Sequence, residues 1–244
     1  MSDKDRASPK SVGRKDSPSD QSPNLRLDNL MKEGWLSEQP ADFQLRIAEL
    51  GRWTSLPGGR QLYSAGDEPD ALYGIDTGLL DIAIPIIGDE ECVIHRARSG
   101  FWIGDGALIP GAPRTLTVEA VTDCRLFRIP FPVLRRHLAE NPADWEYMHR
   151  LSTLNATLAV RILSEVLSLP PSARVARLLL RLAAPDGTVA STQEELGRLA
   201  GMSRATFGRS LSRLIASGAI ETRYNEIKIV DLDAVKAEAK LDIS

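Results

Sequence analysis

The sequence predicts an α+β protein in which a strand-rich N-terminal half, a long central helix and a C-terminal helix-turn-helix follow one another. Short β-type runs separated by turn dipeptides occupy residues 56–130. Residues 143–169 contain neither Gly nor Pro and carry apolar residues at helical spacing. After Pro170 and Pro171, two shorter helical patterns meet at Gly201.

These patterns and the composition divide the chain into four segments. Residues 1–24 are rich in Ser, Pro, Asp and Lys and have almost no large apolar side chains, so we expect a disordered tail. We predict a β-rich domain over residues 25–140 and a dimerisation helix over 141–169. Residues 170–244 are predicted to form a winged helix-turn-helix.

Charge is distributed unevenly along the chain, although the formal net charge is only −3. Residues 170–230 contain nine Lys and Arg against five Asp and Glu, whereas residues 25–169 contain 14 against 20. A basic C-terminal segment favours a nucleic-acid partner. The sequence has no apolar run of the ~18 residues that a membrane span needs and no signal-peptide pattern, so we predict a cytoplasmic protein without membrane association.

The chemistry-bearing residues argue against a metal site and against an enzyme. Cys92 and Cys124 cannot build a disulfide framework or supply the four ligands of an iron–sulfur cluster. Cys92 and His95 have metal-ligand spacing, but a second ligand pair is missing at any suitable distance. Since no nucleophile elbow or phosphate loop occurs either, we predict no catalytic residue and no metal.

The β-rich domain begins with a short helical pattern over residues 25–50. Six β-type runs follow, at residues 61–63, 71–76, 79–84, 92–97, 116–121 and 125–129. Short strands with regular turns predict an antiparallel roll or sandwich.

The central helix carries two apolar stripes. One recurs at alternating three- and four-residue spacing, as in a coiled-coil seam; it consists of Met148, Leu151, Asn155, Leu158, Ile162, Glu165 and Leu169. The second consists of Leu154, Leu163, Val166 and Leu167. We expect one stripe to cover the β-rich domain and the other to meet a partner. Asn155 either fixes the register of the seam or is solvated.

The helix-turn-helix is predicted between Gln193 and Gly218. Thr192 and Glu195 have the spacing of a capping box for the first helix, and Ser203 is placed to cap the second. Gly201 suits the turn between the helices, and Gly197 is small where the helices cross. The inward face of the second helix is predicted to hold Phe207, Leu211, Leu214 and Ile215.

The outward face of this second helix is predicted to enter the major groove of DNA. Arg204 and Arg209 are the candidates for base or phosphate contact, and Arg213 for phosphate contact. The full set of predicted DNA-binding residues is Ser203, Arg204, Ala205, Thr206, Gly208, Arg209 and Arg213. Residues 219–230 predict two strands of a wing, from which Arg223 and Lys228 would touch the sugar-phosphate backbone.

Residues 201–209 resemble the second-helix hallmark of the Crp/Fnr family, and the order of parts is similar over residues 25–235. Ala205 replaces the glutamate that the family usually has. The resemblance implies a cyclic-nucleotide-binding-type β-roll as effector domain, a long dimerisation helix and a homodimer on palindromic double-stranded DNA. For an activator, it also implies contact with RNA polymerase.

Residues 101–115 are similar to the family's phosphate-binding cassette. The resemblance implies the candidate effector-binding residues Gly104, Asp105, Gly106, Arg114 and Thr115. Asp105 stands where the family has a glutamate, and Gly106 replaces an apolar residue. Ala159 and Val160 align with hydroxyl residues that meet the adenine.

Because these departures leave a nucleotide site incomplete, we predict no cofactor, with cyclic nucleotide kept as a candidate effector. In the alternative, Arg114 pairs with Asp105 in a loop without ligand. The sequence thus favours a sequence-specific, homodimeric transcriptional regulator, controlled by an unidentified small effector or by none. The alternative function is a cyclic-nucleotide-binding sensor that acts through protein–protein contacts.

Overall fold

A computed structural model describes residues 27, 29–86, 91–109, 111 and 113–240. The tail predicted over residues 1–24 lies outside them. A 3-10 turn at Trp35–Glu38 and helix α1, Ala41–Leu50, precede the strands. The strands are β1 Arg52–Leu56, β2 Gln61–Tyr63, β3 Ala71–Thr77, β4 Leu80–Pro85, β5 Glu91–Ala97, β6 Trp102–Ile103, β7 Thr117–Ala120 and β8 Cys124–Pro130.

These strands form two four-stranded antiparallel sheets, in the orders β1-β8-β3-β6 and β2-β7-β4-β5. Apolar residues of both sheets, among them Ile75, Leu80, Val118 and Leu126, are buried in one cluster. The predicted α+β class and antiparallel roll are therefore confirmed. Neither β1 nor β6 was predicted, since β1 lacks an apolar alternation and β6 is only two residues long.

Buried polar contacts hold the start of the central helix in place. Helix α2, Phe131–Glu140, is followed by a 3-10 turn at Pro142–Asp144 and then by α3, Trp145–Ser168. The buried Asp144 carboxylate accepts hydrogen bonds from Arg46 at 2.7 and 3.0 Å and contacts His137 Nε2 at 2.7 Å. The 24 residues of α3 give a rod of ~36 Å.

Of the two stripes predicted on α3, the coiled-coil-like seam is the one that covers the chain's own β-roll. Met148 and Leu151 are buried in the cluster that joins the helices to the roll. Asn155 is neither a dimer-register residue nor solvated, because its amide donates to Trp102 O at 3.1 Å and to Asp105 Oδ1 at 2.7 Å. Glu165 is buried and pairs with Arg181 of the next helix at 3.0 Å.

The other stripe of α3 is exposed along the C-terminal half of the helix. The exposed apolar residues of this face are Leu154, Leu163, Val166 and Leu167 of the predicted stripe, joined by Val160; Leu167 is 75% and Val160 66% exposed. The helix therefore uses its first stripe to cover the roll and leaves the second free of intrachain burial.

The C-terminal domain is a winged helix-turn-helix. Its elements are α4 Pro171–Leu182, β9 Thr188–Ala190, α5 Gln193–Leu199, α6 Arg204–Ala216, β10 Ile220–Arg223, β11 Glu226–Ile229 and α7 Leu232–Glu238. The strands form one sheet in the order β10-β11-β9. The wing hairpin was predicted, but its third strand, β9, was not.

The local signals of the helix-turn-helix are confirmed. Thr192 and Glu195 form a reciprocal capping box, and Ser203 Oγ accepts from Thr206 N at 3.3 Å. Gly201, between α5 and α6, has φ 61°. At Gly197 a β-carbon would meet Phe207 Cβ at 3.5 Å, an ordinary contact, so the helices cross closely but alanine would fit.

One predicted inward residue of α6 is wrong. Phe207, Leu211 and Leu214 are buried in the C-terminal core, but Ile215 is 42% exposed. Leu214 already occupies the position over the core in the last turns, and Ile215 lies about 100° further around the helix.

We therefore expect Leu214→Ala to lower the free energy of unfolding by about 2–5 kcal/mol, because Leu214 is only 2% exposed. The neighbouring Ile215→Ala should cost less than about 1 kcal/mol, as usual for a largely exposed site. Urea denaturation of both variants measures the difference. Equal losses would contradict the assignment of the inward face.

Candidate DNA-binding surface and effector pocket

The outward face of α6 is exposed and basic. Ser203, Arg204, Ala205, Arg209 and Arg213 are exposed, while Thr206 and Gly208 are partly buried. None of the ion pairs among the described residues involves Arg204, Arg209 or Arg213. These three guanidinium groups therefore remain available for an anionic partner.

The first turn of α6 is ordered by its own hydroxyl groups. Ser203 Oγ donates to Thr206 Oγ1 at 3.0 Å, and Arg209 Nη2 donates to the same Thr206 oxygen at 3.1 Å. This contact orients the Arg209 side chain toward the N-terminal end of the helix, where base contacts are made in helix-turn-helix proteins.

A polar groove separates α6 from the wing. Arg204, Arg223 and Tyr224 line it together with Gln193 and Asn225. Tyr224 is 93% exposed at the hairpin turn, and Asn225 holds the turn with φ 53°. Sequence reasoning missed Gln193, Tyr224 and Asn225; the adjacent Tyr and Asn between two β-type runs were the available signal for an exposed turn.

The two wing residues predicted to contact the DNA backbone differ in availability. Arg223 is exposed, and its ion pair with Glu226 is long, at 3.9 Å. Lys228 Nζ instead donates to Asp186 O at 2.6 Å and to Thr188 Oγ1 at 3.1 Å. Lys228 thus fastens the wing to the turn before β9, which makes it a poorer candidate for DNA contact than Arg223.

A cavity of about 370 Å³ lies between the roll and α3. All five predicted effector-binding residues, Gly104, Asp105, Gly106, Arg114 and Thr115, line it. Ser152, Asn155 and Ala159 of α3 close the other side, whereas Val160 points away and is exposed. The structure therefore brings the cassette residues together at one pocket under the central helix.

Arg114 is a buried residue of the pocket wall whose Nη groups are bonded, whereas its Nε has no partner among the described residues. Its guanidinium donates to Ala71 O at 2.7 Å, to Asp70 Oδ1 at 3.0 Å and to Gly104 O at 3.4 Å. It also lies 4.1 Å from the ring centroid of Tyr63. The predicted alternative in which Arg114 pairs with Asp105 is wrong, because Asp70 is the partner of Arg114 and Asn155 is the partner of Asp105.

Gly104 is required by this packing. It has φ 109°, and a β-carbon there would lie 2.8 Å from Ala71 O and 2.9 Å from Arg114 Nη1. A side chain at this position would displace the backbone from the buried guanidinium.

His95 contributes a neutral imidazole to the pocket. Burial, with the nearby positive charge of Arg181, lowers the pKa of His95 to about 4. The ring lies 5.4 Å from that of Phe101, and Nδ1 is buried without a hydrogen-bond partner among the described residues. His95 was not predicted to be a pocket residue, because its only sequence context was the spacing to Cys92.

The strand that carries His95 also joins the two domains. Arg96 is buried, pairs with Asp81 of β4 at 2.7 Å and donates to Ser191 Oγ at 3.0 Å. Its Nη2 lies 3.8 Å from Glu195, the capping-box residue of α5. Arg98 donates to Ala183 O at 2.6 Å. Strand β5 thus contacts the pocket and the DNA-binding domain at adjacent residues.

The described residues include neither a metal-ligand cluster nor a helix suited to span a membrane. Among the residues that the structure describes, no group of three or more His, Cys, Asp or Glu is placed to hold a metal ion. No described helix is both long and apolar enough to cross a membrane.

The fold and the two sites define a transcription regulator with a cyclic-nucleotide-binding-type roll and a winged helix-turn-helix. Residues 53–141 match the model of the cyclic nucleotide-binding domain, and residues 173–238 match that of the Crp-like helix-turn-helix domain. The chain belongs to the Crp/Fnr family of transcriptional regulators, as predicted.

Curated relatives match this chain over most of their own length. The CRP-like cAMP-activated global transcriptional regulator of Mycobacterium tuberculosis is 26% identical over 198 residues, covering 75% of this chain and 86% of the relative. The cAMP-activated global transcriptional regulator CRP of Salmonella typhimurium is 29% identical over 171 residues, covering 65% and 80%.

Solved structures share the fold. The c-di-GMP-responsive global regulator CLP of Xanthomonas campestris is 24% identical with a TM-score of 0.62, covering 78% of this chain and 99% of that one. A CRP/FNR-family transcriptional regulator of Thermus thermophilus is 23% identical with a TM-score of 0.63, covering 78% and 98%.

The low pKa of His95 makes stability depend on pH. Between about pH 6.5 and about pH 4 the unfolded chain binds a proton at His95 that the folded chain does not. The free energy of unfolding should therefore fall as the pH is lowered through this window, by up to about 3 kcal/mol. His95→Gln removes this part of the loss, which urea denaturation at a series of pH values detects; superimposable profiles would contradict it.

Proposed function

We propose that this regulator binds palindromic double-stranded DNA as a homodimer and that a small effector in the roll pocket controls the binding. The observation that carries the DNA proposal is the exposed face of α6, where Arg204, Arg209 and Arg213 have no intrachain ion pair among the described residues. An arginine at this end of a recognition helix can donate two hydrogen bonds to guanine O6 and N7.

The DNA contacts expected of each arginine follow from its position along α6. Arg204 and Arg209 belong to the N-terminal half of α6, which meets base edges, and Arg213 to the last turns, which meet phosphate. Ala205 presents no hydrogen-bonding group, so it would contribute only apolar contact, for example with a thymine methyl. Arg223 and Tyr224 on the wing would meet the backbone beside the groove.

The dimer proposal rests on the exposed stripe of α3. Val160, Leu163 and Leu167 follow at alternating three- and four-residue spacing and are exposed. Apolar residues contiguous on one face of a helix are typical of an interface. Two chains paired through this stripe around a two-fold axis would present two recognition helices to successive major grooves, ~34 Å apart.

The control proposal rests on β5. Its bulge at Ile94 puts Ile94 and His95 into the pocket, while Val93 packs against the C-terminal core and Arg96 bonds to Ser191. An effector that moves this strand would shift the first helix of the helix-turn-helix. The relatives named above are described as cAMP-activated; for this chain the effector is unassigned. Contact with RNA polymerase stays a prediction without assigned residues.

The DNA surface is tested with a DNA fragment that the protein binds. This fragment is recovered by pulldown of sheared genomic DNA and identified by sequencing. Arg204→Ala and Arg209→Ala should each weaken binding by about 1–3 kcal/mol, because each removes a guanidinium from the groove. Arg150→Ala, which removes an exposed arginine of α3 paired with Glu146, should leave the affinity unchanged. Fluorescence anisotropy at several salt concentrations measures all three; wild-type affinity in both α6 variants would contradict the surface.

The dimer face is tested by Leu163→Asp, which places a charge in the middle of the exposed stripe. We expect a folded monomer by analytical ultracentrifugation, since a buried unpaired carboxylate opposes association. Leu45→Asp, at a similarly exposed leucine of α1, serves as the control and should stay dimeric. A dimeric Leu163→Asp variant would refute this interface.

A further inference from the structure

The DNA-binding domain is attached to the rest of the chain at two places that differ in kind. At the first, the buried Glu165 of α3 lies 3.0 Å from Arg181 and 3.6 Å from Arg177, both on α4. Parting the two helices would remove both cations together and leave the carboxylate without a partner of opposite charge. We therefore expect the attachment at Glu165 to stay closed.

The second attachment is the contact of strand β5 with the start of the helix-turn-helix. Arg96 donates to Ser191 Oγ at 3.0 Å, and its Nη2 lies 3.8 Å from Glu195. Two residues further along the strand, Arg98 donates to Ala183 O at 2.6 Å. We call these three contacts the β5 latch.

The charged groups on both sides of the β5 latch keep partners of their own when the contact opens. Arg96 retains its two hydrogen bonds to Asp81, at 2.7 and 2.8 Å, because both residues belong to the roll. Glu195 retains the hydrogen bonds that it accepts from Ser191 and Thr192 in its own domain. Opening therefore breaks one hydrogen bond to Ser191 and one long contact without stranding a charge.

The other contacts between β5 and the DNA-binding domain are also inexpensive to break. Arg98 is exposed, so water can replace Ala183 O as its acceptor. Among the described residues of the roll, Val93 is the one that packs against the apolar core of the DNA-binding domain, and it is only partly buried. A largely polar contact of this kind is typical of domains that move relative to each other.

The β5 latch occupies the end of α5 that DNA would approach. Ser191 lines both the crevice against the roll and the polar groove between α6 and the wing. In helix-turn-helix proteins the first helix crosses the DNA backbone. The seven residues of α5 span only ~10 Å, whereas the major groove alone is ~12 Å wide. A duplex seated on this domain therefore extends past Ser191 toward β5.

We propose that the β5 latch is an autoinhibitory contact, which is closed in the free chain and opens when DNA binds, while the attachment at Glu165 stays closed. This inference rests on the proposed DNA-binding function and names a contact that regulates it. Because the duplex has to open the latch before it can seat, a substitution that weakens only the latch raises the affinity for DNA.

Arg96→Lys is the main test, because it weakens the β5 latch without changing the net charge. A lysine ammonium can pair with Asp81, but it lacks the planar fork that reaches Asp81 and Ser191 together. We expect Arg96→Lys to bind the recovered DNA fragment at least about threefold more tightly than the wild type in fluorescence anisotropy.

Arg98→Ala is the second latch variant, and Arg60→Ala is its matched control. Removing the positive charge of Arg98 would by itself weaken DNA binding, so tighter binding, by about threefold, points to the lost contact with Ala183. Arg60 is another exposed arginine of the roll, and none of the described contacts joins its side chain to the DNA-binding domain. Arg60→Ala should therefore not tighten DNA binding.

Hydrogen–deuterium exchange of the free chains shows whether each variant opens the β5 latch. Strand β5 is the outer strand of its sheet among the described residues, and α5 packs beside it. We expect residues 91–98 to exchange faster in Arg96→Lys and Arg98→Ala than in the wild type, and equally fast in Arg60→Ala. The circular dichroism spectrum of each variant verifies folding.

Two results would overturn the proposal. Unchanged exchange in both latch variants would show that these contacts do not hold the domain. Faster exchange with unchanged or weaker DNA binding would show that the latch does not oppose DNA. If the wild type binds the fragment, either result refutes the latch alone and leaves the regulator function intact. Failure of the wild type and of all variants to bind DNA would instead refute the DNA-binding proposal, on which the latch depends.

Discussion

The two hydrogen bonds that Asn155 donates, to Trp102 O and Asp105 Oδ1, hold the central helix against the roll. They fix the rotation of α3 about its own axis. Met148 and Leu151 are therefore buried against the roll, while Leu163 and Leu167 face outward. Because the same contact closes the pocket, the position of α3, the shape of the pocket and the exposed stripe depend on one another. A substitution at Asp105 is therefore expected to change the position of α3, and with it the exposed stripe that is proposed to pair two chains.

The DNA-binding domain is attached to this arrangement through β5. Arg96 spans Asp81 in the roll and Ser191 before the first helix of the helix-turn-helix, and it is almost fully buried. Separation of the two domains would break the bond to Ser191 and the 3.8 Å contact with Glu195, while the Asp81 pair within the roll would remain. The domains are therefore coupled through a few defined contacts and not through a flexible linker alone.

The parts predicted correctly from sequence are those fixed by neighbouring residues. The capping box of Thr192 and Glu195, the turn at Gly201 and the cap at Ser203 depend on three- and four-residue spacings, and all are present. Apart from the misassigned face of Ile215, what the sequence did not predict lies where partners are distant in the chain. Arg114 and Asp70 are 44 residues apart, and Arg96 and Ser191 are 95 apart. No local spacing encodes such pairs, and the same limit hid the contacts of Asn155 with Trp102 and Asp105.

The central claim is that two chains present two α6 helices to one symmetric site. Hydroxyl-radical footprinting of the full chain on a fragment recovered from genomic DNA tests it most directly. The account predicts two protected patches related by a two-fold axis, with centres ~34 Å apart, and protection that weakens steeply as salt is raised. A single asymmetric patch, or protection that does not respond to salt, would contradict it.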